Sequence, residues 1–204
     1  MSRVISREPD RLVLFTDAVV AIAVTLLVLP LVDVVPDVVG EHGRSTEVFT
    51  GHQAQIWSFL LSFAVILRLW FAHHQLFQHI RGYTFTLMLW NAGWLLAIVV
   101  LPFSTEMVGA YPSDDRFTLL FYIGNVLAAT ACQTVVTVIA YRDAEVASES
   151  DPPAIEAVRG GLSTVVLLAL GLAVVAVFPS ASYFVLLLLF LEPLVSRFWS
   201  LVGV

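Results

Sequence analysis

Between Gly160 and Leu201 the chain runs for about 40 residues with few polar side chains and only one acid before Arg197. In a bilayer, about 20 apolar residues complete one helical crossing, so a run of this length amounts to two crossings. Phe178-Pro179-Ser180 interrupts it near the midpoint. Proline has no N–H to donate and suits the first turn of a new helix. The break predicts a fifth helix over about 160–178 and a sixth over about 181–201. Four earlier apolar runs cover about 12–35, 54–79, 83–107 and 117–141. The expected fold is an all-α integral membrane protein with six transmembrane helices forming one domain over residues 1–204. The first run is too long for a signal-peptide core and has no clean cleavage site, so it reads as a retained helix. Residues 36–53 form a polar, acidic loop, 109–116 (GAYPSDDR) a short turn, and 142–158 the one long hydrophilic stretch. Strands are not expected, because a lipid-exposed sheet edge leaves backbone groups unsatisfied.

Composition removes most other classes. Hydrophobic residues make up 59% of the chain and charged residues 13%, against about 45–50% and about 25% in ordinary globular domains. All ten basic residues are arginine and none is lysine, which argues against a nucleic-acid surface. Cys132 is the single cysteine, so no disulfide framework is available. No Walker motif, nucleotide-binding glycine loop or nucleophile elbow occurs, so no enzyme and no cofactor is expected. His73, His74 and His79 invite a haem or metal reading. Adjacent histidines diverge by about 100° on a helix, however, and no glutamate stands at the helical zinc-motif spacing. Trp70, Trp90 and Trp94 read as packing or interfacial residues. Glu192-Pro193 reads as a kink with an acid at the membrane surface.

Six helices place the N-terminal tail, the 2–3 loop, the 4–5 loop and the C-terminal tail on one side. That side and its helix ends carry Arg3, Arg7, Arg11, Arg68, Arg81, Arg142, Arg159 and Arg197, leaving Arg44 and Arg116 on the other. Positive charge is retained on the cytoplasmic side, so both termini are expected there. Asp33, Asp37, Glu41, Glu47, Glu106, Asp114 and Asp115 collect on the outer side, where they attract cations.

The first helix carries the most informative pattern. At about 100° per residue, Ile22, Leu26, Leu29 and Asp33 share one stripe. Three branched side chains stacked below a carboxylate suit a pore face with hydrophobic constrictions and an acidic mouth. The same stripe also suits a face turned to lipid or to another helix, with Asp33 at the interface. Asp17 points roughly the other way and lies inside the span, where a carboxylate needs a partner. Polar groups at matching depth are Arg11 and Thr16 on its own helix, Arg68, His73 and His74 on the second, and Asn91 on the third. A network among Arg11, Thr16, Asp17, His73, His74 and Asn91 would tie the first helix to its neighbours, whether for packing or for function.

The segment Arg11-xxx-Phe15-Thr16-Asp17-Ala-Val-xx-Ile22-xx-Thr25-Leu26 resembles the signature of the transmembrane protein 175 potassium channel family, which has arginine followed by phenylalanine-serine-aspartate. Trp70-xx-His73-His74-xx-Phe77 and Asn91 followed by Leu101-Pro102-Phe103 are similar to two further family stretches. Thr16 departs from the family's serine, keeping the hydroxyl and adding a methyl. The resemblance implies a potassium-selective channel without a carbonyl filter of the TVGYG type, a sequence absent here. It implies a pore lined by the first helix of each subunit, with Ile22, Leu26 and Leu29 at the constriction and Thr25 in potassium preference. Asp33 then sits at the outer mouth. One six-helix unit per chain implies a prokaryotic homotetramer in the plasma membrane, whose partners are further copies of itself and the lipid bilayer, with only transient potassium as a bound metal. The alternative is a proton-coupled secondary transporter of a small cation using Asp17 or Glu192 as relay, against which stands the lack of an inverted repeat. A redox subunit built on the histidines is a third reading.

Overall fold

The computed structural model describes residues 4–6 and 9–178. The expected sixth helix over 181–201, with Glu192, lies outside the described residues. The elements in chain order are β1 (Val4–Ser6), α1 (Asp10–Leu26), α2 (Leu29–Gly40), α3 (Glu47–Gly51), α4 (Gln53–Gln78), β2 (Tyr83–Thr84), α5 (Phe85–Ala110), α6 (Arg116–Arg142) and α7 (Ile155–Val177). Five segments are long and apolar enough to cross a membrane: 10–40, which joins α1 and α2, and then α4, α5, α6 and α7.

The first run is two helices rather than one. Pro30 explains the break: its ring clashes with the carbonyl four residues back, and it cannot donate to it. That carbonyl belongs to Leu26, where α1 ends. α2 continues past the expected end at residue 35 and closes with a helix-stop motif. His42 adopts a left-handed φ of 57°, and Gly43 N–H reaches back to Val38 O at 2.9 Å. Thr84 caps α5 by accepting from Leu87 N–H at 3.3 Å, and Asp115 caps α6 by accepting from Thr118 N–H at 2.8 Å. α7 begins at Ile155, five residues before the apolar run, with Ala154 as N-cap after Pro152-Pro153.

α5 is the central element, packed against α1, α4 and α6, while α7 packs on α6. Trp94, Ile98, Leu101, Leu119, Tyr122 and Ile123 are fully buried between these helices. Gly161 brings α7 close to α6, since a Cβ there would stand 2.9 Å from Thr134 Oγ1.

Strands do occur, contrary to expectation. β1 and β2 pair antiparallel, Val4 with Thr84 and Ser6 with Tyr83. The ladder joins the segment before α1 to the turn between α4 and α5, beyond the helix ends. The rule against exposed strand edges in hydrocarbon therefore does not reach it. The same turn is clipped to the α6–α7 loop. Arg81 and Gly82 N–H donate to Val146 O, Ser148 N–H donates to His79 O, and Ile80 bridges Ala147. Arg81 also pairs with Glu149 and donates to Ala144 O at 3.0 Å, and His79 Nδ1 lies 3.1 Å from Asp151 Oδ2. Beneath them Leu76, Phe77, Ile80, Leu87, Val136, Ala140 and Val146 form a small separate core, with Leu12 and Val13 of α1 against it. One end of the molecule thus gathers the N-terminal strand, the α4–α5 turn and the α6–α7 loop around the base of α1.

Candidate permeation surface and the polar network behind it

α1 has two faces of different chemistry. Thr16, Val20, Ala23 and Leu27 recur at helical spacing and are buried. Leu27 is only 1% exposed. On the other side Ile22 is 60% exposed, Leu26 40% and Leu29 51%. Thr25 and Asp33 are exposed as well. The Pro30 break falls between Leu26 and Leu29, so Asp33 is carried on a separate helix from Ile22 and Leu26, yet all four stay uncovered within the chain. Thr25 donates its hydroxyl proton to Ile22 O at 2.7 Å.

The buried face is held by hydrogen bonds from two neighbouring helices. Asn91 of α5 donates from Nδ2 to Thr16 Oγ1 at 3.2 Å, and its Oδ1 lies 2.8 Å from His73 Nε2 of α4. With the amide nitrogen facing Thr16, Asn91 Oδ1 must accept, which places the His73 proton on Nε2. Thr16, Asn91 and His73 thus link α1, α5 and α4 in one line. The His73 ring is sandwiched, with Phe77 and Trp94 each stacked at a centroid distance of 4.3 Å. Among the described residues its Nδ1 is buried without a hydrogen-bond partner, as are His74 Nδ1 and Trp94 Nε1.

Asp17 is half-buried and joins this line only by proximity. Its carboxylate accepts from Trp70 Nε1 of α4 at 2.8 Å. Trp70 was expected only to pack or mark the interface; its position one turn before His73 and His74 is the signal that puts it on the same face of α4. His74 lies against the Trp70 ring at 5.6 Å. Arg11 differs from expectation: it is exposed in the first turn of α1 and makes none of these bonds. Six residues separate it from Asp17, about 240° around the helix, so the two side chains leave different faces. Arg68 lines a groove of about 660 Å³ between α4, α6 and α7, together with Gln75, Gln133 and Thr134.

A second buried cluster lies on the same stripe of α4. Ser62 Oγ is 2.9 Å from Tyr122 Oη and 2.7 Å from Thr105 Oγ1, joining α4, α6 and α5. Nothing in the sequence pattern singled it out beyond the spacing of Ser58, Ser62, Leu69 and His73 along one face. Among the described residues, no three His, Cys, Asp or Glu side chains gather where they could hold a metal ion.

The first membrane-crossing helix is thus hydrogen-bonded on one face and bare on the other. Residues 11–102 match the family described as endosomal/lysosomal potassium channel TMEM175. A potassium channel of Chamaesiphon minutus is 31% identical over 59% of this chain and 60% of its own length. A potassium channel of Streptomyces collinus is 32% identical over 53% and 52% respectively. The endosomal/lysosomal proton channel TMEM175 of Rattus norvegicus is 33% identical over 52% of this chain and 22% of its own length. These alignments span about a fifth to three fifths of the relatives. The crystal structure of a lysosomal potassium-selective channel TMEM175 homolog from Chamaesiphon minutus superposes with a TM-score of 0.74 at 25% identity, covering 94% of this chain and 99% of that one.

Proposed function

We propose that this chain is one subunit of a passive, potassium-selective cation channel, a homotetramer in a prokaryotic plasma membrane with both termini cytoplasmic. It carries out no reaction and uses no cofactor. The observation that carries the reading is the bare stripe that runs from Ile22 and Leu26 of α1 to Leu29 and Asp33 of α2, with the other face of α1 fixed by Thr16 and Asp17. Four such stripes facing one axis make rings of branched side chains that exclude water unless widened, with a carboxylate ring outside them. Thr25 at the edge of the stripe supplies an oxygen where the side chains around it supply none. The arginine bias supports the orientation.

Purified protein in planar bilayers under opposed potassium and sodium gradients tests this directly. The expected result is ohmic single-channel current reversing near the potassium equilibrium potential. The animal relatives are named proton channels, so a pH gradient forms the second arm. Reversal that follows the proton gradient would assign proton as the permeant ion. Saturable flux that builds a potassium gradient from a proton gradient would replace the channel with a coupled transporter.

A further inference from the structure

We infer that the α6–α7 loop is a salt-released latch on the cytoplasmic end of α1: shut, it holds the base of that helix and keeps the pore narrow. The inference rests on the reading of the bare stripe as the permeation surface and adds to it how that surface is regulated. The loop docks as a preformed unit. Asp143 folds it, accepting Glu145 N–H on Oδ1 at 3.0 Å and the N–H groups of Val146 and Ala147 on its main-chain oxygen, each at 3.0 Å. The α4–α5 turn then receives the loop in strand fashion. Arg81 N–H reaches Val146 O at 2.9 Å, Ser148 N–H reaches His79 O at 2.8 Å, and Ile80 bridges Ala147.

Val146 is the plug of this latch. Its side chain is fully buried, in the small core that holds Phe77, Ile80 and Leu87. Leu12 and Val13, at the base of α1, pack against that same core. What the loop covers is therefore what α1 stands on.

The order of residues along α1 makes it a lever. Leu12 and Val13 lie about one turn below Thr16 and Asp17, which Asn91 and Trp70 hold in place. Ile22 lies about 8 Å above that anchored turn, on the bare side. The anchor is thus a pivot between the base and the constriction. Leu12 and Val13 share the buried face of Thr16 and Val20, so a seated Val146 keeps the base drawn away from the bare side. Release lets the base swing toward the bare side and carries Ile22 the opposite way. A ring of such side chains is drawn apart, and a wider hydrophobic constriction is a wetted one.

The fastenings are of a releasable kind. Arg81 pairs with Glu149 and His79 with Asp151, and the two acids are 80% and 74% exposed. Exposed ion pairs are weak, and salt screens them. Loop and turn lie beyond the helix ends, where local opening costs least. Ionic strength on the cytoplasmic face is therefore what the latch reads.

The test uses the full chain in planar bilayers on a Cys132→Ser background. Ile80→Cys with Ala147→Cys allows a disulfide across the bridged pair, because facing strand residues stand within disulfide reach. Oxidation is expected to lower open probability several-fold, and reduction to restore it in the same protein. Arg81→Gln removes the Glu149 pair and the bond to Ala144 O, and is expected to raise open probability several-fold at unchanged ion preference. An impermeant salt added on the cytoplasmic side should raise open probability in the wild type and leave the oxidised variant unmoved. Open probability indifferent to oxidation, to Arg81→Gln or to salt would overturn the latch. If the buried Ile80→Cys impairs assembly, Arg81→Gln and salt decide without it. A wild-type chain that passes no potassium current refutes the channel reading instead. Spin labels on Arg11→Cys and Tyr141→Cys, both exposed positions, then decide the latch in samples diluted with unlabelled chain. A distance shifted by Arg81→Gln supports it, and an unmoved distance overturns it.

Discussion

The two faces of α1 use the same helical backbone for opposite ends. One face meets α4 and α5 through Thr16, Val20, Ala23 and Leu27, with a hydrogen bond wherever it carries a polar group. The other carries Ile22 and Leu26, with Leu29 following at the start of α2, side chains of the same apolar class, and is left bare. Hydropathy does not separate the faces; the polar groups do. Thr16 and Asp17 fix the rotation of the helix about its axis because only one rotation brings them to Asn91 and Trp70. The bare stripe is where that rotation sends the remaining residues. On the proposed function, anchoring and permeation are coupled through a single angle, and disturbing the anchoring face should act on the other.

The largest effect is expected from breaking the anchor. Asn91→Leu orphans the His73 Nε2–H and the Thr16 hydroxyl at once. Each unsatisfied buried group costs about 1–3 kcal/mol, a large fraction of the stability a domain has to lose. The peak of the proposed tetramer in size-exclusion chromatography should collapse and the melting temperature should fall steeply. Trp70→Phe, which removes only the bond to Asp17, should weaken assembly less. Full assembly of Asn91→Leu with wild-type current would show that the rotation of α1 is set by apolar packing alone.

Next in size is the bare face itself. A ring of Ile22 side chains gives an ion nothing in place of its water, so the barrier follows bulk and dryness. Ile22→Ala trims four side chains together and should raise single-channel potassium conductance several-fold while eroding discrimination against sodium. Stability should change little, because the side chain is exposed in the subunit. Wild-type conductance in a correctly assembled Ile22→Ala tetramer would move the pore away from this face.

Smaller still is the effect of Asp33. At about 8 Å in water one carboxylate attracts a cation by roughly 0.5 kcal/mol before screening. Asp33→Asn should lower inward current a few-fold at low salt and hardly at all at high salt. Equal currents at low ionic strength would place Asp33 off the ion path.

These contrasts also mark what could be read before any coordinates. The apolar runs announced the membrane-crossing helices because length and hydropathy are properties of a segment alone. Asp17 could be expected to need a partner for the same reason. Which partner it has is a property of three helices together, and Trp70 was passed over because an indole satisfies packing and hydrogen bonding with one side chain. Arg11 was included because charge suggests pairing, although its angle around α1 points elsewhere. Pro30 stood inside the first run in plain view. Continuous helical arithmetic carries the stripe from Ile22 to Asp33 straight across it, although the helix is interrupted there. The β1–β2 ladder and the clip at Arg81 involve a tail and two loops far apart in sequence, and no local pattern encodes such a meeting.

A site that touches neither face of α1 gives the comparison its baseline. Asp115 caps α6 by accepting from Thr118 N–H at 2.8 Å, and the neighbouring Thr118 side chain and backbone N–H hold its carboxyl below the usual carboxylate range. A carboxyl with a lowered pKa in the folded state stabilises that state once the pH is above its unfolded value, about 3.9. The contribution is lost as the pH falls through the lowered folded value, since the proton then binds both states. The cap is partly exposed to water, so the effect is small. Asp115→Asn keeps a capping oxygen but cannot titrate. Thermal unfolding of detergent-solubilised protein should therefore show wild type slightly ahead of the variant at neutral pH, with the two curves converging below about pH 4. Conductance and selectivity should be equal for both proteins at neutral pH, because α6 packs on α5 and α7 and adds nothing to the bare stripe. A selectivity change in Asp115→Asn would mean that the end of α6 reaches the permeation path, and the division between an anchoring face and a conducting face on α1 would then be incomplete.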